Sequence, residues 1–112
     1  VPGLGVRAHI NGRRIAVDPG FGFGKSIEHN FTLLSELSAL KQMQLPIVVG
    51  LSRKSMLGAA TGRAVQDRVA ASVAAAVLAV ERGANIVRVH DVAATRDALR
   101  VWKTMQDQVR VQ

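Results

Sequence analysis

Three short aliphatic runs, each ending in polar or glycine residues and each followed by a helix-like segment, limit what this chain can fold into. They are Ile15-Ala16-Val17 before Asp18-Pro19-Gly20, Ile47-Val48-Val49 before Gly50-Leu51-Ser52-Arg53-Lys54, and Ile86-Val87-Arg88-Val89 before His90-Asp91. A strand–helix unit repeated in this way predicts a parallel α/β architecture. In such folds strand carboxyl ends and helix amino termini converge on one rim, where ligands bind. Asp18, Lys54, Arg88 and His90 all fall at that rim.

At 112 residues the chain has room for one domain, 1–112, in which residues 1–13 are the least readable. Within them Asn11-Gly12 predicts a tight turn before the first strand. A helix is expected from about Asn30, a good cap, with Phe31, Leu34, Leu37 and Leu40 on one face and Pro46 as its stop. A second is expected from about Gln66 to Arg82, with Ala70, Val73, Ala74 and Val77 facing the sheet and Gly83 at its end. The third strand should run Asn85–His90, and a third helix about Thr95–Gln108, with Leu99, Trp102, Met105 and Val109 on one side.

Composition removes several function classes. With no cysteine, a disulfide scaffold and a thiolate metal site are excluded, and a reducing compartment is compatible. The longest apolar run, Val69 to Val80, is too short and too alanine-rich to span a bilayer, and the first residues lack a signal-peptide layout. The net charge of +7 points to an anionic partner. The basic residues are scattered and no aromatic platform accompanies them, so nucleic acid is not the expected partner.

The most unusual local sequence is Asp18-Pro19-Gly20-Phe21-Gly22-Phe23-Gly24-Lys25-Ser26. Alternating glycines let backbone approach a ligand, Phe21 and Phe23 offer flat apolar faces, and Asp18 can accept two hydrogen bonds from a planar nitrogen heterocycle. A phosphate loop is ruled out because position 19 is proline where that motif needs glycine; the dinucleotide pattern fails at Lys25. The competing reading is a glycine-rich turn without ligand. Gly50-Leu51-Ser52-Arg53-Lys54-Ser55 holds two cations and two hydroxyls just past a buried strand, suited to a ring carbonyl and an anion, or else a solvated basic loop.

Arg88 and His90, two apart on a strand, share one face and suit a phosphate or pyrophosphate, unless Arg88 belongs to a structural Arg–Asp pair. His9, His29 and His90 lack ligand-like spacing, so no metal ligand is assigned. A triad of Ser52, His90 and Asp18 or Asp91 lacks the Gly-x-Ser-x-Gly turn and is set aside.

Taken in order, these three motifs resemble the carboxyl-terminal part of dihydropteroate synthase, the folate-biosynthesis transferase that sulfonamides inhibit. The resemblance runs from about Arg14 to the end of the third helix. It implies the last three β/α units of a TIM (β/α)8 barrel, an incomplete barrel in this chain. The implied reaction joins 6-hydroxymethyl-7,8-dihydropterin pyrophosphate to para-aminobenzoate, giving dihydropteroate and pyrophosphate.

By the same resemblance Asp18 and Lys54 would contact the pterin, and Gly50 would leave room for its ring. Phe23 would pack near the aminobenzoate and Ser55 would hold its carboxylate. Arg88 and His90 would bind pyrophosphate, so Lys54, Arg88 and His90 form the expected catalytic set. Mg2+ is expected, with its protein ligand outside this chain, and so is a cytoplasmic location; a homo-oligomer is left open. A barrel of this type takes about 250 residues, so the chain is expected to be a truncated piece with little activity alone. The alternatives are a non-catalytic pterin-binding or partner-completing fragment and a methyltetrahydrofolate methyltransferase-type barrel, against which the pyrophosphate-suited motifs argue.

Overall fold

A computed structural model describes the backbone of residues 7–11, 14–22 and 26–111, and the side chains of residues 18–22 and 26–109. Strand β1 (Arg7–Asn11) pairs antiparallel with β2 (Arg14–Asp18), from Asn11↔Arg14 to Arg7↔Asp18. Asn11 is the last residue of β1, Gly12 of the expected Asn-Gly turn lies outside the described residues, and the poorly read amino-terminal segment contributes an extra strand. β2 lies beside β3 (Val48–Val49) without joining its ladder, and β3 pairs in parallel with β4 (Ile86–Val87).

Backbone bonds outside the short ladder extend the β3–β4 pairing. Asn85 and Ile86 donate to the Ile47 carbonyl at 2.9 and 3.1 Å, and Arg88 donates to that of Val49 at 2.8 Å. The sequence predicts a third strand of Asn85–His90, but regular pairing covers only Ile86–Val87, because Ser52 takes the His90 N–H instead. Ile86 stays 51% exposed, since no strand among the described residues covers the outer edge of β4.

Helix α1 (Ile27–Ser35) starts earlier than expected. Ser26 is its cap, accepting from the His29 N–H at 3.1 Å. Asn30 is buried instead and bridges two backbone groups. Its Oδ1 accepts from the Gly22 N–H at 2.9 Å and its Nδ2 donates to the Ser26 carbonyl at 3.0 Å. Beyond α1 the chain tightens into a 3₁₀ segment, Leu37–Met43. Its three-residue repeat keeps Leu37 and Leu40 on one side, and both are fully buried.

Helices α2 (Ser55–Thr61), α3 (Val69–Glu81) and α4 (Val92–Val111) follow, with a 3₁₀ turn at Val65–Asp67 before α3. α3 buries Ser72, Ala75, Ala76 and Ala79, not the face expected from spacing; Ala70 and Ala74 are exposed. A helix apolar nearly all round carries no periodic signal to choose a face. α4 is longer than expected at both ends, and Met105 and Val109 on its expected apolar side are 54% and 62% exposed.

The core gathers Phe21, Leu33, Leu37, Leu40, Ile47, Val49 and Met56, each at most 1% exposed. Each such side chain contributes about 1.5–3 kcal/mol relative to exposure. Phe21 therefore belongs to the core and offers no ring face to a ligand, a correction to the reading of two stacking phenylalanines.

Candidate functional site

The carboxyl ends of β2, β3 and β4 bring together residues up to 70 positions apart. Asp18 closes β2 and is 2% exposed. Its Oδ1 accepts from the Gly20 N–H at 2.8 Å, and its Oδ2 accepts from Arg88 Nη2 at 2.9 Å. Arg88 keeps a side chain 57% exposed, with further N–H donors beyond that bond. The two competing expectations for Arg88 meet here: it forms an Arg–Asp pair and also lines an open cleft.

That cleft has a volume of about 250 Å3 and is lined by Gly50, Ser52, Lys54, Arg88, Val89 and His90. Gly50 follows β3, and a Cβ there would stand 3.3 Å from Nε and Nη2 of Arg88. The bare glycine thus makes room for the guanidinium itself. His90 is held by Ser52: its N–H donates to Oγ at 3.1 Å, and its ring Nδ1 lies 2.9 Å from the same oxygen.

Lys54 crosses to the glycine-rich turn, where its Nζ donates to the Phe21 carbonyl at 2.6 Å. Gly22, at φ 86°, faces this side chain; a Cβ there would meet Lys54 Cδ at 3.6 Å. A second cleft, of about 280 Å3, lies on this side, lined by Phe21, Gly22, Lys54 and Ser55. Lys54 therefore borders both clefts. Phe23, expected beside them, lies outside the described residues.

One pair escaped the sequence reading. Arg53 grips Asp91 with both arms of its fork, Nη2 to Oδ1 at 2.7 Å and Nε to Oδ2 at 3.3 Å. The Arg53 hydrogen bond holds the Asp91 carboxyl below its ordinary range against the opposing effect of desolvation, with the charges of Arg53 and His90 acting the same way. The same hydrogen bond raises the Arg53 guanidinium. The adjacent cations in Arg53-Lys54 were the available signal, but spacing could not tell which of them faces which cleft.

Among the described residues no three His, Asp or Glu side chains cluster as a metal site. Asp18 and Asp91 are each engaged by an arginine. This donor set does not fit a Mg2+ site of its own.

A family model described as pterin binding enzyme matches residues 4–90. The dihydropteroate synthase of Haemophilus influenzae is 50% identical over 96 residues, which cover 86% of this chain and 35% of that protein. The structure of dihydropteroate synthase from Xanthomonas albilineans in complex with 7,8-dihydropteroate superposes with a TM-score of 0.80 at 54% identity, covering 81% of this chain and 35% of that one. The same enzyme with 4-aminobenzoic acid gives a TM-score of 0.80 and 54% identity, over 81% of this chain and 34% of that one. The α/β units of this chain are those of a partial TIM barrel. The 112-residue chain belongs to the pterin binding enzyme family and, within it, is similar to dihydropteroate synthases, of whose length it spans about a third.

Proposed function

We propose that this chain carries the pterin- and diphosphate-facing part of a dihydropteroate synthase, a transferase of folate biosynthesis. In this reading the para-aminobenzoate nitrogen attacks the methylene carbon of 6-hydroxymethyl-7,8-dihydropterin pyrophosphate. A C–N bond forms, the C–O bond breaks, and pyrophosphate leaves with the electron pair while the amine proton passes to solvent or to the leaving group. Catalysis then consists of placing the two reactants and stabilising charge on the leaving group.

The observation that carries the reading is the convergence of Lys54, Arg88 and His90 on adjoining clefts, with Asp18 bonded to Arg88 beside them. Asp18, at the end of β2 and bonded to Arg88, would accept from a pterin's ring N–H groups. Lys54, bordering both clefts, would touch the pterin and keep the aminobenzoate beside it, and Gly50, in the first cleft, would leave room for the pterin ring. Arg88 and His90 would take the diphosphate, and Ser55, with Phe23, would receive the aminobenzoate, which is the side a sulfonamide would occupy. Any Mg2+ would arrive with the diphosphate and take its protein ligand outside the described residues. Folate synthesis from soluble substrates suits the cytoplasm, and no helix among the described residues is long and apolar enough to cross a membrane.

The chain's span of about a third of its relatives favours a second statement: alone it has little synthase activity. Calorimetric titration with the pterin pyrophosphate tests the binding reading, for which heat is expected and a flat titration counts against it. Product formation from both substrates tests the second, and turnover near that of a complete synthase would overturn it.

A further inference from the structure

We propose that Arg53 and Asp91 form a positioning strut that fixes Lys54 and His90 relative to each other; this rests on the cleft being the diphosphate site. Neither residue lines the cleft, so the pair acts through its neighbours. Arg53 lies between Ser52 and Lys54, and Asp91 directly follows His90. The loop after β3 is therefore tied to the loop after β4 twice, once by Ser52 to His90 and once by the Arg53–Asp91 fork.

Three features show that Arg53 is held in place from the protein side. Its backbone is left-handed, at φ 57°, a conformation uncommon outside glycine and asparagine. Its N–H donates to Oγ of Ser72, a buried residue of α3, at 2.8 Å. Its carbonyl accepts from Arg68 Nη1 at 2.9 Å. Arg68 in turn lies against Gly58, where any Cβ would collide with its guanidinium.

Asp91 supplies the other half of the argument. It stands at the amino-terminal boundary of α4, and its carbonyl accepts from the Thr95 N–H at 3.0 Å. An aspartate there ordinarily turns its carboxylate onto the first helical N–H groups. Here both oxygens go to Arg53, across 38 residues of sequence. The local cap has given way to a bridge between the two loops that carry Lys54 and His90.

The test uses the 112-residue chain and its Arg53→Gly, Asp91→Asn and Asp91→Glu variants. Three readouts are taken: melting temperature, the nuclear Overhauser contact between Ser52 and His90, and calorimetric affinity for inorganic pyrophosphate. Glycine accepts the left-handed backbone, so Arg53→Gly removes the fork with the turn intact. The strut predicts only a small fall in melting temperature, a lost Ser52–His90 contact and pyrophosphate affinity lowered about tenfold in Arg53→Gly and Asp91→Asn, with recovery in Asp91→Glu.

Retention of the contact and of affinity within about twofold in both disrupted variants overturns the strut. So does a large fall in melting temperature with the contact intact, which marks a merely structural pair. If the parent binds no pyrophosphate, the diphosphate reading fails by itself. The contact then decides the strut alone: its loss in the variants supports the strut and its persistence refutes it.

Discussion

Arg88 Nη2 donates to Asp18 Oδ2 at 2.9 Å, joining the ends of β2 and β4 across 70 residues of sequence. A buried carboxylate and a half-open arginine thus share one bond, and the arginine keeps further N–H donors. Removing either partner affects both the fold and the cleft. Arg88→Ala deprives the buried Asp18 carboxylate of its arginine. Because the arginine is 57% exposed, water replaces part of the lost bond, and we expect a stability loss of about 1–2 kcal/mol. Pyrophosphate affinity should fall at least about tenfold. A severe drop in melting temperature with affinity unchanged would make Arg88 structural.

Gly50→Ala separates those two effects. Its Cβ would stand 3.3 Å from Nε and Nη2 of Arg88, so the guanidinium must shift by a few tenths of an ångström. Denaturant unfolding should change by less than about 1 kcal/mol, because the neighbour is the end of a flexible side chain. Ligand affinity should fall, since Arg88 can no longer lie against the strand end. Unchanged affinity in this variant would show that the closeness of Gly50 to Arg88 has no bearing on binding.

Asp91 sets one pH dependence. Its carboxyl is held below the ordinary value of 3.8 in the folded chain, chiefly by the Arg53 hydrogen bond. The folded state therefore binds fewer protons there than the unfolded state, and stability rises with pH. The contribution is fully present above 3.8 and is lost as pH falls through the lowered folded value. Asp91→Asn should flatten that part of the stability profile, measured by urea unfolding between neutral and acid pH. An identical acid limb in both proteins would contradict it.

Gly83 ends α3 at φ 113°, where its N–H donates to the Val80 carbonyl at 3.0 Å and Ala84 donates to Ala79 at 2.9 Å. This pair of hydrogen bonds is a Schellman cap, which favours glycine. Gly83→Ala is expected to cost about 1–2 kcal/mol, from backbone strain and a collision with the Lys41 side chain. Gly62→Asn is the control: φ is 74° and nothing lies within 4 Å of its Cβ position, so thermal unfolding should barely move.

Thr95 is 3% exposed, and its Oγ1 has no hydrogen-bond partner among the described residues. Thr95→Val keeps the shape and removes a buried orphan hydroxyl. We expect a gain of up to about 1 kcal/mol in thermal or urea unfolding. A loss of that size would mean the hydroxyl has a partner after all.

The strand-end chemistry was legible because loops past buried strands concentrate unusual residues. Asp18, Lys54, Arg88 and His90 could be named from Asp-Pro-Gly, Ser-Arg-Lys and Arg-Val-His without knowing any distance. The sheet-facing side of α3 was not legible, since alanine and valine occupy nearly every position. The β1–β2 hairpin was half visible in Asn11-Gly12, but its flanking strand lacks strict alternation. Asn30 and Ser26 are both good caps, and only the need of the Gly22 N–H for an acceptor decides between them. The Arg53–Asp91 fork depends on a left-handed residue that spacing cannot reveal.

Lys54 forms a party wall between two neighbouring clefts, braced on the Phe21 carbonyl. Variation at this position cannot be confined to one tenant. Any side chain there that reshapes one chamber reshapes the other in the same stroke, so a change confined to a single cleft has to come from residues that line that cleft alone.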